Sequence, residues 1–512
     1  MNPATARAPR PRHSAWLAAL VAAAAGVWVF RGALPYFFAQ DDYLGLARAR
    51  GLAPALAGPW RWLSGQAYFT LMEPFGLGSA APYHAVSLAA HATNAALLAL
   101  LLARRLGAPA AMIGAVFYAA HPSLYTAVYS VSGLGELLAA LFVLVTLLLA
   151  GTRGATRWLA LPAFLAALAC KESVLLLPMM FLVVRDEPIP PVARLAADRT
   201  GRAVTWAMAG IATVFAALLF AADVFAVRSG LTAPAPYALS FGPHLIAGAA
   251  TYLGWAVQPW LPLARGFQDA VDPSVYPAAV IAIVLWAAGF AWPALRRLPW
   301  WSGAALALWL IAPVLPLANH TYHYYLCAPL IGIAMCVAAL AAAALSPGAV
   351  RPRATWAAAA VAALLTWNGA AFVHRIETQP FTDPRLRSDA LVDRALIARR
   401  VADRIAQADL PDGTPLAFWS PWALLDQARA AGGAAPAGAS YVEANVRAAL
   451  MDGLAIRVLF PRLGPASFMH RYTDPPPGSR IVLYDADGTG RIVAPAQVDS
   501  MLAAHPIPGA RL

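Results

Sequence analysis

Apolar residues in this chain come in blocks rather than in alternation. The blocks fall near 14–34, 83–103, 109–121, 136–151, 157–170, 173–185, 203–226, 276–295, 301–319, 323–346 and 354–373. Many approach the roughly 20 residues that a helix needs to cross a bilayer. A bilayer admits only helices or closed barrels, and the period-two pattern of a barrel does not occur. The pattern predicts eleven transmembrane helices. A further apolar stretch, 244–262, is bounded or broken by Pro243, Pro259 and Pro262 and carries His244, Tyr252 and Gln258.

Arginine positions orient these blocks. Arg7, Arg10 and Arg12 precede the first, so it should run outward from the cytoplasm. It reads as an uncleaved anchor, because a signal-peptide cut after Ala39 would place bulky Phe37 where a small residue is needed. Arg104/Arg105, Arg153/Arg157, Arg296/Arg297, Arg351/Arg353 and the 185–202 stretch mark inner loops. Both 185–202 and 296–297 then lie inside, so an even number of crossings must separate them. Three apolar stretches lie between. The middle one, 244–262, is expected to be re-entrant or interfacial. The C-terminus is then outside.

Charged residues become frequent after 374, and no later run could span. Residues 386–408 show helical spacing, while Pro415–Ser420 and Arg480–Tyr484 read as short strands. Asp485-Ala-Asp-Gly-Thr-Gly490 reads as a hairpin turn. It resembles the start of a calcium loop but lacks the closing Glu. The expected architecture is an all-α polytopic membrane domain, 1–374, followed by a small extracytoplasmic α/β domain, 375–512. No internal repeat is visible.

Composition agrees with the membrane class. The 512 residues are 60% hydrophobic and 12% charged, about half the charged share of a soluble globule. The net charge of +12 sits in short inter-span loops, which is an orientation signal and not a nucleic-acid footprint. Cys170, Cys327 and Cys336 fit no metal or disulfide spacing and read as buried small hydrophobes. Usage rich in Ala and Arg suggests a GC-rich bacterial genome, and hence the bacterial inner membrane.

On this topology the unusual polar residues gather at one face. Asp41 and Asp42 follow the first span, His121-Pro122 ends the third, and Glu136 begins the fourth. Lys171-Glu172 joins the fifth and sixth, and Asp223 and Arg228 close the seventh. His320, Tyr322, His323, Tyr324 and Tyr325 lie in a later outer segment, and Arg61 lies in the first outer loop. Adjacent carboxylates at a lipid boundary are costly unless something uses them. Lys171 is the one lysine in the chain, every other strong base being arginine. A compact ammonium suits a phosphate. The plainer alternative, an ion pair with Glu172, is weakened because helix neighbours face different ways. Each of the others has a bland reading too: a solvated loop entry for the aspartates, a helix stop for His121-Pro122, a cap for Glu136, an aromatic belt for 322–325.

The order of these elements resembles the GT-C superfamily of membrane glycosyltransferases. It is most similar to the group of protein O-mannosyltransferases, transmembrane-and-tetratricopeptide mannosyltransferases and their bacterial relatives. Ala39-Gln-Asp-Asp-Tyr43 looks like the acidic motif of the first outer loop. Tyr83-His84 through His91-Ala-Thr-Asn94 to Arg104-Arg105 looks like the second span. His121-Pro122 through Ala127-Val128 and Gly133 to Leu138 looks like the second outer loop, and Cys170-Lys-Glu-Ser173 with Pro178 like the Lys-Glu segment. Pro316 through Tyr325 and Pro329 matches a later loop more loosely. The C-terminal domain is not covered. This chain has Thr126 and Leu134 where the group often has Glu and Arg, and His323-Tyr324 where it has Arg-Tyr.

The resemblance implies a GT-C-like fold and an inverting transfer of sugar from a polyprenyl-phosphate donor to a protein, lipid or glycan acceptor at the outer face. Asp42 or Asp41 would be the base, and its partner would orient acceptor or sugar. Lys171 would hold the phosphate, with His320 or His323 helping. Glu172, Glu136, His121, Tyr324 and Arg61 would complete the substrate site. Adjacent aspartates could bind a divalent metal, but the resemblance implies none, and no cofactor beyond the lipid-linked donor. Two other classes stay open: a transporter or lipid flippase, which should show inverted repeats and midplane charge, and an inactive GT-C-like scaffold.

Overall fold

The structure is a computed structural model. It describes residues 12–56, 58–183, 199–228, 239–257, 271–296, 298–318, 320–345, 351–378, 390–420, 439–469, 472, 475–485 and 488–504. It is a polytopic helical membrane protein with a small α/β unit at its C-terminal end.

The first long helix is α1 (Arg12–Phe30). A loop holds the short helices α2 (Asp42–Ala49) and α3 (Tyr68–Met72). Helix α4 (Ala81–Leu106) starts with Pro82 in its first turn and ends with Arg104 and Arg105 in its last, where cations favour the helix dipole. Gly107, at φ +83°, stops it, and α5 (Ala108–Ala119) begins at once. Buried almost all round, α5 packs against α1, α4 and the late helices α15 (Pro329–Ala344) and α16 (Arg351–Thr378).

A bend of 116° separates Pro122–Tyr129, which includes α6 (Tyr125–Tyr129), from α7 (Leu134–Ala150). Gly133 permits this turn, since a Cβ there would lie 2.6 Å from the Ala127 carbonyl oxygen. Then follow α8 (Ala160–Cys170), α9 (Leu177–Val183), α10 (Arg199–Arg228), α11 (His244–Val257), α12 (Tyr276–Ala291), α13 (Pro293–Arg296) and α14 (Trp300–Ile311).

The eleven expected blocks each hold an apolar helix, and these differ in length. Among the described residues, five helices are long and apolar enough to cross, or six with the bent pair. The other expected spans are apolar helices of 10–17 residues. Their ends are trimmed where proline or polar residues turn the chain. The 323–346 block, for example, starts with a 3-10 turn at His323–Leu326, and its helix begins only at Pro329.

Within the 244–262 stretch the described part forms helix α11, of 14 residues and about 21 Å. The segment before it and its middle both meet the same later loop. Ser240 N donates to Pro316 O before it (2.9 Å), and Tyr322 N donates to the hydroxyl of Tyr252, in its second half (3.2 Å).

The C-terminal unit is built on a four-stranded sheet of the described residues. Its strands are β1 (Leu416–Trp419), β2 (Ala466–Phe468), β3 (Arg480–Tyr484) and β4 (Gly490–Val493), in the order β2-β1-β3-β4. β1 runs parallel to both neighbours, and β4 is antiparallel to β3. A turn closed by Asp485 N to Thr489 O (2.8 Å) joins β3 to β4, as the plain-turn reading expects. Ala417, Trp419, Ile481 and Leu483 face α20 (Pro495–Ala504). Leu416, Phe418, Val482 and Tyr484 face an apolar cluster that continues through α17 (Ala390–Gln407), α18 (Ala439–Ala449) and α19 (Leu454–Leu459) into the loop between α1 and α4. Burial on both faces explains why β1 reads as an uninterrupted apolar run.

The ends of α1 and α16 share one face of the bundle, where the Tyr129 hydroxyl donates to Glu377 and a Cβ at Gly32 would lie 2.8 Å from that hydroxyl. The C-terminal unit therefore sits on the side where Asp41 and Asp42 emerge.

Candidate functional site

The two aspartates have different surroundings. Asp42, the first residue of α2, is 2% exposed. Its Oδ2 accepts from Ala39 N (3.0 Å). Its Oδ1 accepts from Ser132 N (2.7 Å) and, more weakly, from the Ser130 hydroxyl (3.4 Å). Asp42 thus pins the loop after α1 to the loop between α6 and α7. Burial pushes its carboxyl up from 3.8 to about 6, outweighing the N–H groups of Ala39 and Ser132, and the charge of Asp41 adds to the rise. Asp41 is exposed. It follows Gln40, whose φ of +55° lies in the left-handed region. A non-glycine residue there costs about 1–2 kcal/mol.

Lys171 occupies the extended break after α8, fixed by its N–H donating to Ala167 O (2.9 Å). Its ammonium lies 2.7 Å from Glu136 Oε1, at the start of α7, with side chains only 11% and 4% exposed. It also lies 5.1 Å and 5.0 Å from the ring centres of Tyr324 and Tyr325. Glu172 turns the other way. Its Oε2 accepts from Arg61 Nε (3.0 Å), and its second oxygen accepts from the same guanidinium. Lys171 and Glu172 are therefore partners of other residues, not of each other. Arg61 is itself left-handed, at φ +55°. The Ser64 hydroxyl donates to Cys170 O (2.8 Å), tying the Arg61 segment to the Lys171 break. Burial of Arg48, on α2, lowers its pKa, and the nearby charge of Arg61 adds to this while that of Asp41 opposes it.

The histidines line the far wall. His320 Nε2 and the Tyr324 hydroxyl are 3.1 Å apart, and His323 stacks on Trp255 of α11 at 3.6 Å. His121 is 1% exposed, accepts from Ser123 N through Nδ1 (3.2 Å) and lies 3.2 Å from Ala256 O through Nε2. It works here as a helix cap that also holds α11. His91 is a buried core histidine whose Nε2 lies 2.8 Å from Ala119 O.

The structure thus gathers Glu136, Lys171, Glu172, Arg61, His320 and Tyr324, and Arg61 belongs to the same loop as Asp41 and Asp42. His121 and His323 support the α11 side. The side chains of Asp223 and Arg228 lie outside the described residues. Arg48, Ser130 and Ser132 were not anticipated. The Ser-Val-Ser run before Gly133 is a local signal, whereas Arg48 looks like any arginine of a polar loop. Among the described residues, no three or more His, Cys, Asp or Glu side chains converge so as to hold a metal ion.

Such an arrangement offers an exposed carboxylate as a proton acceptor, a screened ammonium and guanidinium for an anion, and an aromatic wall. No protein-family model matches the chain, and no curated relative does. One solved structure, that of ArnT from Cupriavidus metallidurans bound to undecaprenyl phosphate, aligns with a TM-score of 0.43 at 15% identity. The alignment covers 95% of this chain and 94% of that chain.

Proposed function

We propose that this protein transfers a sugar from a polyprenyl-phosphate donor to an acceptor hydroxyl at the outer face of a bacterial inner membrane. The observation that carries the reading is the buried Lys171–Glu136 pair beside the Arg61–Glu172 pair, at the face where Asp41 and Asp42 emerge. Buried charge at one face of a bundle, joined to an acidic loop, suits the leaving phosphate of a lipid whose tail stays in the bilayer. The motif order that resembles GT-C transferases points the same way.

Access divides the aspartates. Asp41, exposed, removes the proton from the acceptor hydroxyl. The resulting oxygen attacks the anomeric carbon, and the bond from that carbon to the phosphate oxygen breaks with inversion. One carboxylate suffices for this, unlike the pair in a glycosidase. Lys171 and Arg61 hold the departing polyprenyl phosphate, drawing partly away from Glu136 and Glu172. His320 and Tyr324 line the sugar side. Asp42 orients the loop, and the C-terminal unit is periplasmic. No metal takes part.

The binding half of this reading is tested with purified protein and polyprenyl phosphate in a thermal-shift titration. Ligand at about 100 times its Kd should stabilise the protein by about 2.7 kcal/mol. Lys171→Ala should remove most of that shift, while a neutral polyprenol should give none in either protein. Equal shifts from polyprenol and its phosphate would contradict a phosphate site at Lys171.

A further inference from the structure

The C-terminal unit grips the aspartate loop on both sides of Asp41. Before it, the Arg399 guanidinium lies 5.1 Å from the Phe37 ring centre and its Nη1 donates to Gly78 O (3.0 Å). After it, Arg50 Nη1 donates to Val458 O (3.1 Å). The tightest hold is on Gln40, next to Asp41. Gln40 N donates to Ala449 O (3.2 Å), and Gln40 Oε1 accepts from Arg394 Nη1 (2.8 Å). Arg394 is aimed in turn by Asn445, whose Oδ1 accepts from its Nε (2.9 Å). Gln40 is left-handed, a conformation that persists only where surroundings over-determine it. Here the surroundings are α17 and α18.

We propose that Arg394 is a positioning residue that acts through Gln40, so that the C-terminal unit clamps the loop bearing Asp41 and Asp42 into its working shape. With the clamp released, Gln40 relaxes to an ordinary conformation. Asp41 then turns, and Ala39 loses its place over the Asp42 carboxylate. The consequence for sugar transfer rests on the function proposed above, but the clamp itself does not.

The test reads cysteine reactivity in the full-length protein in membranes. Ala39→Cys is the reporter, since Ala39 is 7% exposed, and Val482→Cys, at a position 3% exposed, reports whether the sheet stays folded. The natural cysteines are buried. Arg394→Ala should raise labelling at position 39 on the order of tenfold, with position 482 still protected. Arg394→Lys, which keeps one bond to Gln40, should give a smaller rise. Unchanged labelling at 39 with 482 protected would overturn the proposal. Should Arg394→Ala expose 482 as well, Asn445→Ala decides: labelling at 39 raised severalfold supports the clamp, and no change overturns it. If transfer is measurable, Arg394→Ala lowers kcat and leaves KM for the lipid donor within about twofold. Without measurable transfer in the unaltered protein, the labelling result still decides the clamp.

Discussion

Asp42 and Lys171 show how buried charge can be informative without being stabilising. The Asp42 carboxyl, pushed up to about 6, binds its proton more tightly in the native state than in the unfolded chain. Between about pH 6 and pH 4 the native state holds a proton that the unfolded chain has released, so Asp42 favours folding more as pH falls through that window and least above it. Function should run oppositely. A neutral carboxyl accepts more weakly from Ala39 and Ser132, so the loop loosens and the transfer rate should fall below about pH 6. In Asp42→Asn the rate should be lower throughout, and the acid limb near 6 should disappear from the pH profile. For Lys171 the expected cost of truncation is larger. Lys171→Ala leaves Glu136 buried and uncompensated, which should lower stability by about 3 kcal/mol in a thermal melt. Replacing the pair together, as Lys171→Met with Glu136→Leu, should recover most of that stability and none of the activity. The chain itself marked both positions, one by a doubled carboxylate and the other by a lone lysine among arginines. It could not divide Asp41 from Asp42, because adjacent positions look alike until a partner loop supplies Ser130 and Ser132. Nor could it pair Lys171 with Glu136, which lie 35 positions apart and meet only when α7 and α8 pack.

At the level of elements, the apolar blocks located nearly every membrane helix and overestimated several lengths. Hydropathy reports which residues avoid water. It does not report where a proline or a polar pair turns the chain within the apolar region, as at Pro122, Lys171 and Tyr322. For 244–262 the arginine-marked loops impose a parity constraint, under which one of the three blocks does not cross. Helix α11 packs Trp255 against His323 and places Ala256 O beside His121. A cysteine at Ala250 should therefore react with an impermeant reagent added outside and not with one confined to the cytoplasm. Labelling from the cytoplasm would make α11 a crossing. Strands β1 and β3 and the hairpin were legible from β-branched and aromatic runs beside turn residues. β2 was not, since Ala466-Ser-Phe468 is too short to show a period and pairs only because β1 offers an edge.

For the whole molecule, the consequence is a shared face. The C-terminal unit, the aspartate loop and the ion pairs around Lys171 occupy one side of the bundle, and the apolar cluster under the sheet runs on into the loop between α1 and α4. The rise in charge after 374 gave no sign of this contact, which depends on single arginines meeting backbone oxygens far away in sequence. A cysteine at the exposed Asp412 should label from the same side as one at Asp41. The central claim, that this face transfers sugar from a lipid phosphate, is tested most directly by comparing glycans on envelope proteins and lipids across four strains: unaltered, deleted, Asp41→Asn and Lys171→Ala. The account predicts a glycan species lost on deletion and in both variants, with the polyprenyl-phosphate sugar accumulating in its place. Glycans and lipid-linked sugars that match the unaltered strain in all three would contradict it.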